Sequence, residues 1–237
     1  MISIGSNFGR VQPLICYAER TIFDTFITDT QTFLQALAQN NSRDWFHDHK
    51  ADYDSKLRGP ALAILDDMSP RLAKLTGYPI TTKLFRANRD VRFSKDKTPY
   101  HTHLYMMWSV VTGTRQDPAF YFGTELDTAG VGTGMREFSK EVLADWRKMA
   151  DLDGAYLTGK IKTLADKGYA VRDPALKRVP APFGKDHPHG DLLRHKGLVA
   201  FGDVGATGDL IATLENAFAD LWPLSDMLIG VAETPTL

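Results

Sequence analysis

The middle of this 237-residue chain most constrains what it can fold into. Leu104 to Thr112 is rich in aromatic and β-branched residues and reads as a strand. The run A-F-Y-F-G-T-E-L, Ala119 to Leu126, reads as a second strand. Val131 to Met135 reads as its partner across a tight turn, Asp127-Thr128-Ala129-Gly130. Gly132 and Gly134 inside the third segment predict a bulge or a close backbone approach.

On both sides of this block the apolar period turns helical. Thr28 with Gln31 forms a capping box, and Phe33, Leu34 and Leu37 give the buried face of the helix it starts. Asn41 or Ser42 caps a second helix, over 43 to about 57, with Trp45, His49, Tyr53 and Leu57 on one face. Gly59-Pro60 interrupt; Leu62, Leu65, Met68, Leu72 and Leu75 carry a helical period on to Gly77, with Pro70 kinking or restarting it. Leu84 to Arg86 and Val91 to Phe93 read as short strands around a turn at Ala87-Asn88, and Thr98-Pro99 as a cap and first helical turn. Downstream, helices are predicted over 139–150 and 153–167, the latter stopped by Gly168. Residues 171–197 are proline-rich and loop-like. A last strand over 198–204 and two helices, 209–221 and 223–231, follow. The expected fold is α+β: a single domain over 26–237 with a central antiparallel sheet flanked by N-terminal and C-terminal helices. Residues 1–25 are expected to be an irregular N-terminal extension.

Charge points to one place. Lys83 to His103 holds six basic residues against two acids, in a chain whose formal net charge is -1. Near-neutrality argues against a general nucleic-acid binder, whose domain usually has a pI above about 9. A single cysteine, Cys16, excludes an internal disulfide and a cysteine-rich zinc site, and suits a reducing cytoplasm. No apolar run approaches the roughly 18 residues of a membrane span, and the N-terminus does not read as a signal peptide.

Three groups of residues resemble one family. They are Asn41-x-Arg43-x-Trp45-Phe46-x-x-His49-Lys50, then Arg89-Asp90-x-Arg92-Phe93-Ser94-Lys95-Asp96-Lys97-x-Pro99-Tyr100, then Asp186-His187-Pro188 with Leu192-Leu193. Their order and spacing resemble a family known as a domain of unknown function, number 2461, from about Phe26 to near the C-terminus. The resemblance implies a single domain and no activity. The chain departs at His101, where the family more often has Lys, so a basic charge at that position is in doubt.

Read as chemistry, the central stretch offers an anion-binding pocket. Arg89, Arg92, Lys95 and Lys97 would hold the anion, with Arg43 beside them and Trp45 and Tyr100 as walls. Were 91–93 a strand, Phe93 would anchor it from one face and Arg92 would point from the other. An internal salt-bridge network is the competing reading, because Arg89-Asp90 and Lys95-Asp96-Lys97 are nearly self-paired. His49 and His187 are the candidates for proton transfer.

Six of the seven histidines fall in H-x-H pairs, His47/His49, His101/His103 and His187/His189. His47 and His49 in a helix would stand about 200° apart, so one ion cannot take both; no metal site is expected. Gly130 to Gly134 lacks the Gly-Lys-Ser/Thr of a phosphate loop, and neither G-x-S-x-G nor H-E-x-x-H occurs. The sequence therefore leaves two functional classes open. One is an enzyme acting on a small anionic substrate, phosphorylated ones included; the other is a non-catalytic module using the same basic groove. It names no cofactor, reaction or oligomeric state.

Overall fold

The computed structural model of the chain describes residues 15–205 and 208–233, with the backbone alone for 15–22 and 24. Helix α1, Ile15–Gln39, begins well before the capping box at Thr28. Thr28 sits inside it, and its carbonyl accepts from the Thr32 hydroxyl at 2.9 Å. Phe26, Ile27, Thr30, Phe33, Leu34 and Leu37 form its buried stripe. Phe26 and Ile27 draw the turns upstream of the box into the helix, because packing of an apolar face outweighs a cap worth about 1 kcal/mol. The part of the expected extension over 1–14 lies outside the described residues.

After Asn40 the chain turns into α2, Arg43–Asp48, capped by the Ser42 hydroxyl, which accepts from Trp45 N at 3.2 Å. A short α3, Lys50–Asp52, leads into a π-helical turn, Tyr53–Arg58, and then α4, Gly59–Thr76. The Gly59 amide bonds to the Asp54 carbonyl, a wide turn. In an α-turn the Pro60 ring would clash with the carbonyl four residues back. Gly59-Pro60 therefore widen the helix where the sequence predicts an interruption. α4 runs through Pro70 and stops at Gly77, whose φ of 77° suits glycine.

The sheet is antiparallel throughout, in the order β1-β2-β3-β4-β6-β5. Its strands are β1 Ile80–Leu84, β2 Leu104–Val110, β3 Ala119–Thr124, β4 Ala129–Met135, β5 Ala170–Val171 and β6 Leu198–Asp203. One face packs on α1, α4 and the last helix, α7, Leu210–Glu233. There Trp108, buried, donates to the Leu65 carbonyl at 3.1 Å, and the Phe120 ring lies 4.9 Å from that of Phe218. Gly132 and Gly134 are where backbones crowd. A Cβ at Gly134 would stand 2.1 Å from the Leu198 carbonyl oxygen, and φ there is 134°.

Helix α5, Lys140–Asp166, is capped by Ser139 and broken at Asp153 (φ -141°, ψ 42°), between the two predicted helices. At Gly154, just past the break, a Cβ would come within 2.2 Å of the His189 ring. The short α6, Gly190–Leu193, lies in the proline-rich segment and packs on α5, where Trp146 donates to the Leu192 carbonyl at 2.9 Å. α7 is one helix through Pro223, where two were expected. Its buried run Leu221, Leu224, Leu228 and Val231 outweighs the roughly 3 kcal/mol that an internal proline costs. Arg115, in the β2–β3 turn, staples three elements together. It pairs with the buried Asp145 of α5 (2.7 Å) and donates to the Ala232 and Val231 carbonyls of α7 (2.9 and 3.1 Å).

The domain is thus α+β around a central antiparallel sheet, and no helix among the described residues is long and apolar enough to cross a membrane. Residues 91–93 correct the expectation: they are not a strand but a loop with a turn at 92–93, and Phe93 is 96% exposed rather than an anchor. Thr98-Pro99 start no helix; a single bridge, Asn88 to Tyr100, is the pairing there.

Candidate functional site

The loop between β1 and β2 carries the residues that the sequence marks, and most of its charge is answered within it. Asp90 accepts a fork from Arg92, Nε to Oδ1 at 2.9 Å and Nη2 to Oδ2 at 2.6 Å, and its carboxyl is held below the ordinary range by that guanidinium. Arg92 itself is 77% exposed. Arg89 donates to Asp96 at 2.6 Å and to the Thr98 carbonyl at 3.1 Å. Asp96 also accepts from the Thr98 backbone amide at 2.9 Å, which, with Arg89, holds its pKa at about 2. Lys97 donates to the Val91 carbonyl at 2.9 Å. Lys95 is exposed and has no ion pair among the described residues.

The α2 end of the motif pins this loop. The Asn41 side chain donates to the Tyr100 carbonyl at 3.0 Å and accepts from the Tyr100 amide at 3.1 Å, as a neighbouring strand would. Tyr100 is buried and stacks on Phe46 at 4.0 Å. Trp45 stacks on His49 at 4.0 Å, and His49 Nδ1 donates to the Trp45 carbonyl at 2.8 Å. Arg43 is exposed. Among the described residues no hydrogen bond or ion pair joins His49 to Arg92 or Lys95.

From the loop a ladder of rings leads onto the sheet. His101, His103 and Tyr105 follow one another at 4.6 and 4.1 Å, and the Tyr105 hydroxyl donates to Glu125. Burial, then Arg89 and Arg86, lower the pKa of His101; burial, then His101, lower that of His103. Both shifts favour the neutral imidazole, against a positive charge at position 101. Tyr105 is pushed up to about 12 by burial and by Glu125, and stays a hydrogen-bond donor.

A larger concavity lies elsewhere, between α5 and residues 171–195. This cleft of about 980 Å³ is lined by Arg172, Lys177, Arg178, Lys185 and Arg194, against Asp173 and Asp191. Arg194 is engaged by Asp191; Arg172, Lys177 and Arg178 have no carboxylate partner among the described residues. His187 lines the cleft with its side chain 15% exposed. Its Nδ1 accepts from the His189 amide at 3.1 Å, which leaves the proton on Nε2, donated to Asp151 at 3.0 Å. His195 is buried at the same wall, and burial lowers its pKa. Of the candidate ligand-binding and proton-transfer residues named from sequence, only His187 lines this cleft, with Pro188, His189 and Leu192 of the same sequence motifs beside it. The cleft's own cations were visible as a second basic cluster in the 171–197 segment, but nothing local signals that α5 closes a wall against them.

Among the described residues no group of three or more His, Cys, Asp or Glu converges as a metal site. No curated protein matches the chain. The family described as "Conserved hypothetical protein (DUF2461)" matches residues 29–227, a span that holds the loop, the sheet and the cleft alike. The chain is a member of that family.

Proposed function

We propose that this protein binds a small anionic ligand, a phosphorylated one among the class, in the cleft beside residues 171–195. The observation that carries the reading is that Arg172, Lys177 and Arg178 line one concavity and, among the described residues, form no ion pair, although Asp173 and Asp191 share the lining. Guanidinium and ammonium groups gathered in this way favour an anion, the arginines by bidentate contact. The central loop supports the proposal less, because Arg89 and Arg92 already hold Asp96 and Asp90. Among the described residues, Arg86 and Lys95 are the exposed cations of that loop with neither an ion pair nor a side-chain hydrogen bond.

A non-catalytic binding role is favoured over proton-transfer chemistry by the state of His187. Both its ring nitrogens are engaged within the protein, one by the His189 amide and one by Asp151. A general base needs a nitrogen within reach of the substrate proton. Titration calorimetry with inorganic phosphate and with ribose 5-phosphate tests the site. Arg172→Ala combined with Arg178→Ala should weaken binding at least tenfold, and Arg92→Ala should leave it unchanged. Binding that is lost with Arg92→Ala and kept in the Arg172/Arg178 variant would return the site to the central loop.

A further inference from the structure

The second cavity of the domain lies on the face of the sheet turned away from α1, α4 and α7. It measures about 420 Å³ and shares Arg172 with the larger cleft. Strand register gives its shape. Tyr121 of β3 is paired with Gly132 of β4, and Gly132 with Phe201 of β6. The two aromatic side chains thus stand two strands apart, about 10 Å, with no side chain between them. The row beside it is Gly123, Gly130 and Asp203, and the Tyr105 ring lies over Gly123, where a Cβ would meet it at 2.3 Å. The glycines have a structural cause of their own: a Cβ at Gly132 would stand 2.7 Å from the Ala200 carbonyl oxygen. The consequence of that close approach is a slot along β4 with aromatic walls.

One end of the slot is cationic. Arg136 continues the slot face of β4 beyond Met135, and Arg172 lies beside Val199, whose carbonyl accepts from its amide at 3.0 Å. Both line the cavity, and neither has a carboxylate partner among the described residues. The acids of the groove do not answer them: Glu125 is taken by the Tyr105 hydroxyl, and Asp203 lies in the Gly130 row, away from the Val199 end. Phe201 is 47% exposed, a large apolar surface left to solvent at the slot's rim.

We propose that this slot holds a flat aromatic or heterocyclic ring that bears an anionic group, the ring between Tyr121 and Phe201 and the group at Arg136 and Arg172. Two facing rings about 10 Å apart at their backbones leave room for one flat ring to lie between them. Arginine at the end of such a slot meets a phosphate or carboxylate in a bidentate way. The inference rests on the anion reading above and names the rest of the molecule. The ligand is one whose anionic end reaches the junction of the two cavities at Arg172.

The test compares matched probes on the full chain by titration calorimetry: AMP against ribose 5-phosphate, and phenyl phosphate against inorganic phosphate. The ring-bearing member of each pair should bind about tenfold tighter or better, the effect of one aromatic stack. Tyr121→Ala and Phe201→Ala should each remove most of that advantage and leave ribose 5-phosphate unchanged, while Tyr121→Phe should keep it. Arg136→Ala should weaken AMP and phenyl phosphate. Equal affinity within each pair, or a ring advantage that survives both alanine variants, would overturn the slot and leave the anion site standing. No binding of any of the four probes would overturn both readings. Loss of self-association in Phe201→Glu, in a parent that is a dimer, would overturn the slot by making this face an interface between copies.

Discussion

Arg115→Ala should be the most damaging single truncation of a charged residue in this domain. The Asp145 side chain is only 8% exposed, while Arg115 is 28% exposed. Removing the guanidinium leaves a buried carboxylate without its counter-charge and strips the Ala232 and Val231 carbonyls of their donor. Breaking a buried pair from one side costs about 3–5 kcal/mol. Water reaches the Arg115 side, so the lower end applies, about 3 kcal/mol. For a domain of this size that corresponds to a fall in Tm of about 6–12 °C. Thermal unfolding followed by circular dichroism reads it directly. Replacing both partners by apolar groups, Arg115→Met with Asp145→Leu, should recover a large part of the loss, because no charge is then left buried. A Tm change below about 2 °C in Arg115→Ala, or a double variant worse than the sum of its singles, would show that the staple holds nothing.

Arg92→Ala should move Tm by no more than about 2 °C, since an exposed pair contributes little; differential scanning fluorimetry checks it. Gly134→Ala should cost at least about 2 kcal/mol, because φ of 134° is strained for an L residue and the new methyl would meet the Leu198 carbonyl; the urea midpoint reports it. Stability should fall as pH drops below 6.5, the ordinary value of His195, whose pKa burial lowers in the fold. The unfolded chain then binds the proton that the folded chain refuses, and the loss levels off below the folded pKa. Urea midpoints between pH 7.5 and about 5 should slope less in His195→Gln than in the parent.

The fold was legible where local chemistry decides. Ser42 caps a helix and Gly77 and Gly168 end helices as short-range signals predict, while the hairpin turn expected over 127–130 falls at 125–128, with Ala129 and Gly130 already in β4. The signals failed where two local rules compete. Val91-Arg92-Phe93 alternates as a strand does, but Asp90 accepts from the Arg92 amide and Asp96 from the Thr98 amide. Those side chains offer the backbone an alternative to a ladder, and the loop takes it. That one substitution of partner explains why Phe93 faces water and why Arg89 and Arg92 are answered internally. The cleft was illegible for a different reason. Its cations stand in a segment with almost no period, and its opposite wall is α5, whose Thr158 and Ile161 lie in a separate stretch of sequence. Composition shows the charge; only tertiary packing shows that it surrounds a space.

The contact between Gly154 and His189 has an evolutionary consequence. The imidazole occupies the volume that any side chain at 154 would need, so position 154 cannot gain a side chain while His189 stays as it is. A lineage that acquires alanine or serine at 154 must first shrink or re-aim residue 189, and His189 contributes the amide that fixes the His187 tautomer. A substitution at 154 should therefore be accompanied by one at 189 among descendants of this sequence. A lone change at 154 would carry a penalty felt in the cleft, at a distance along the chain that no local comparison of sequences would reveal.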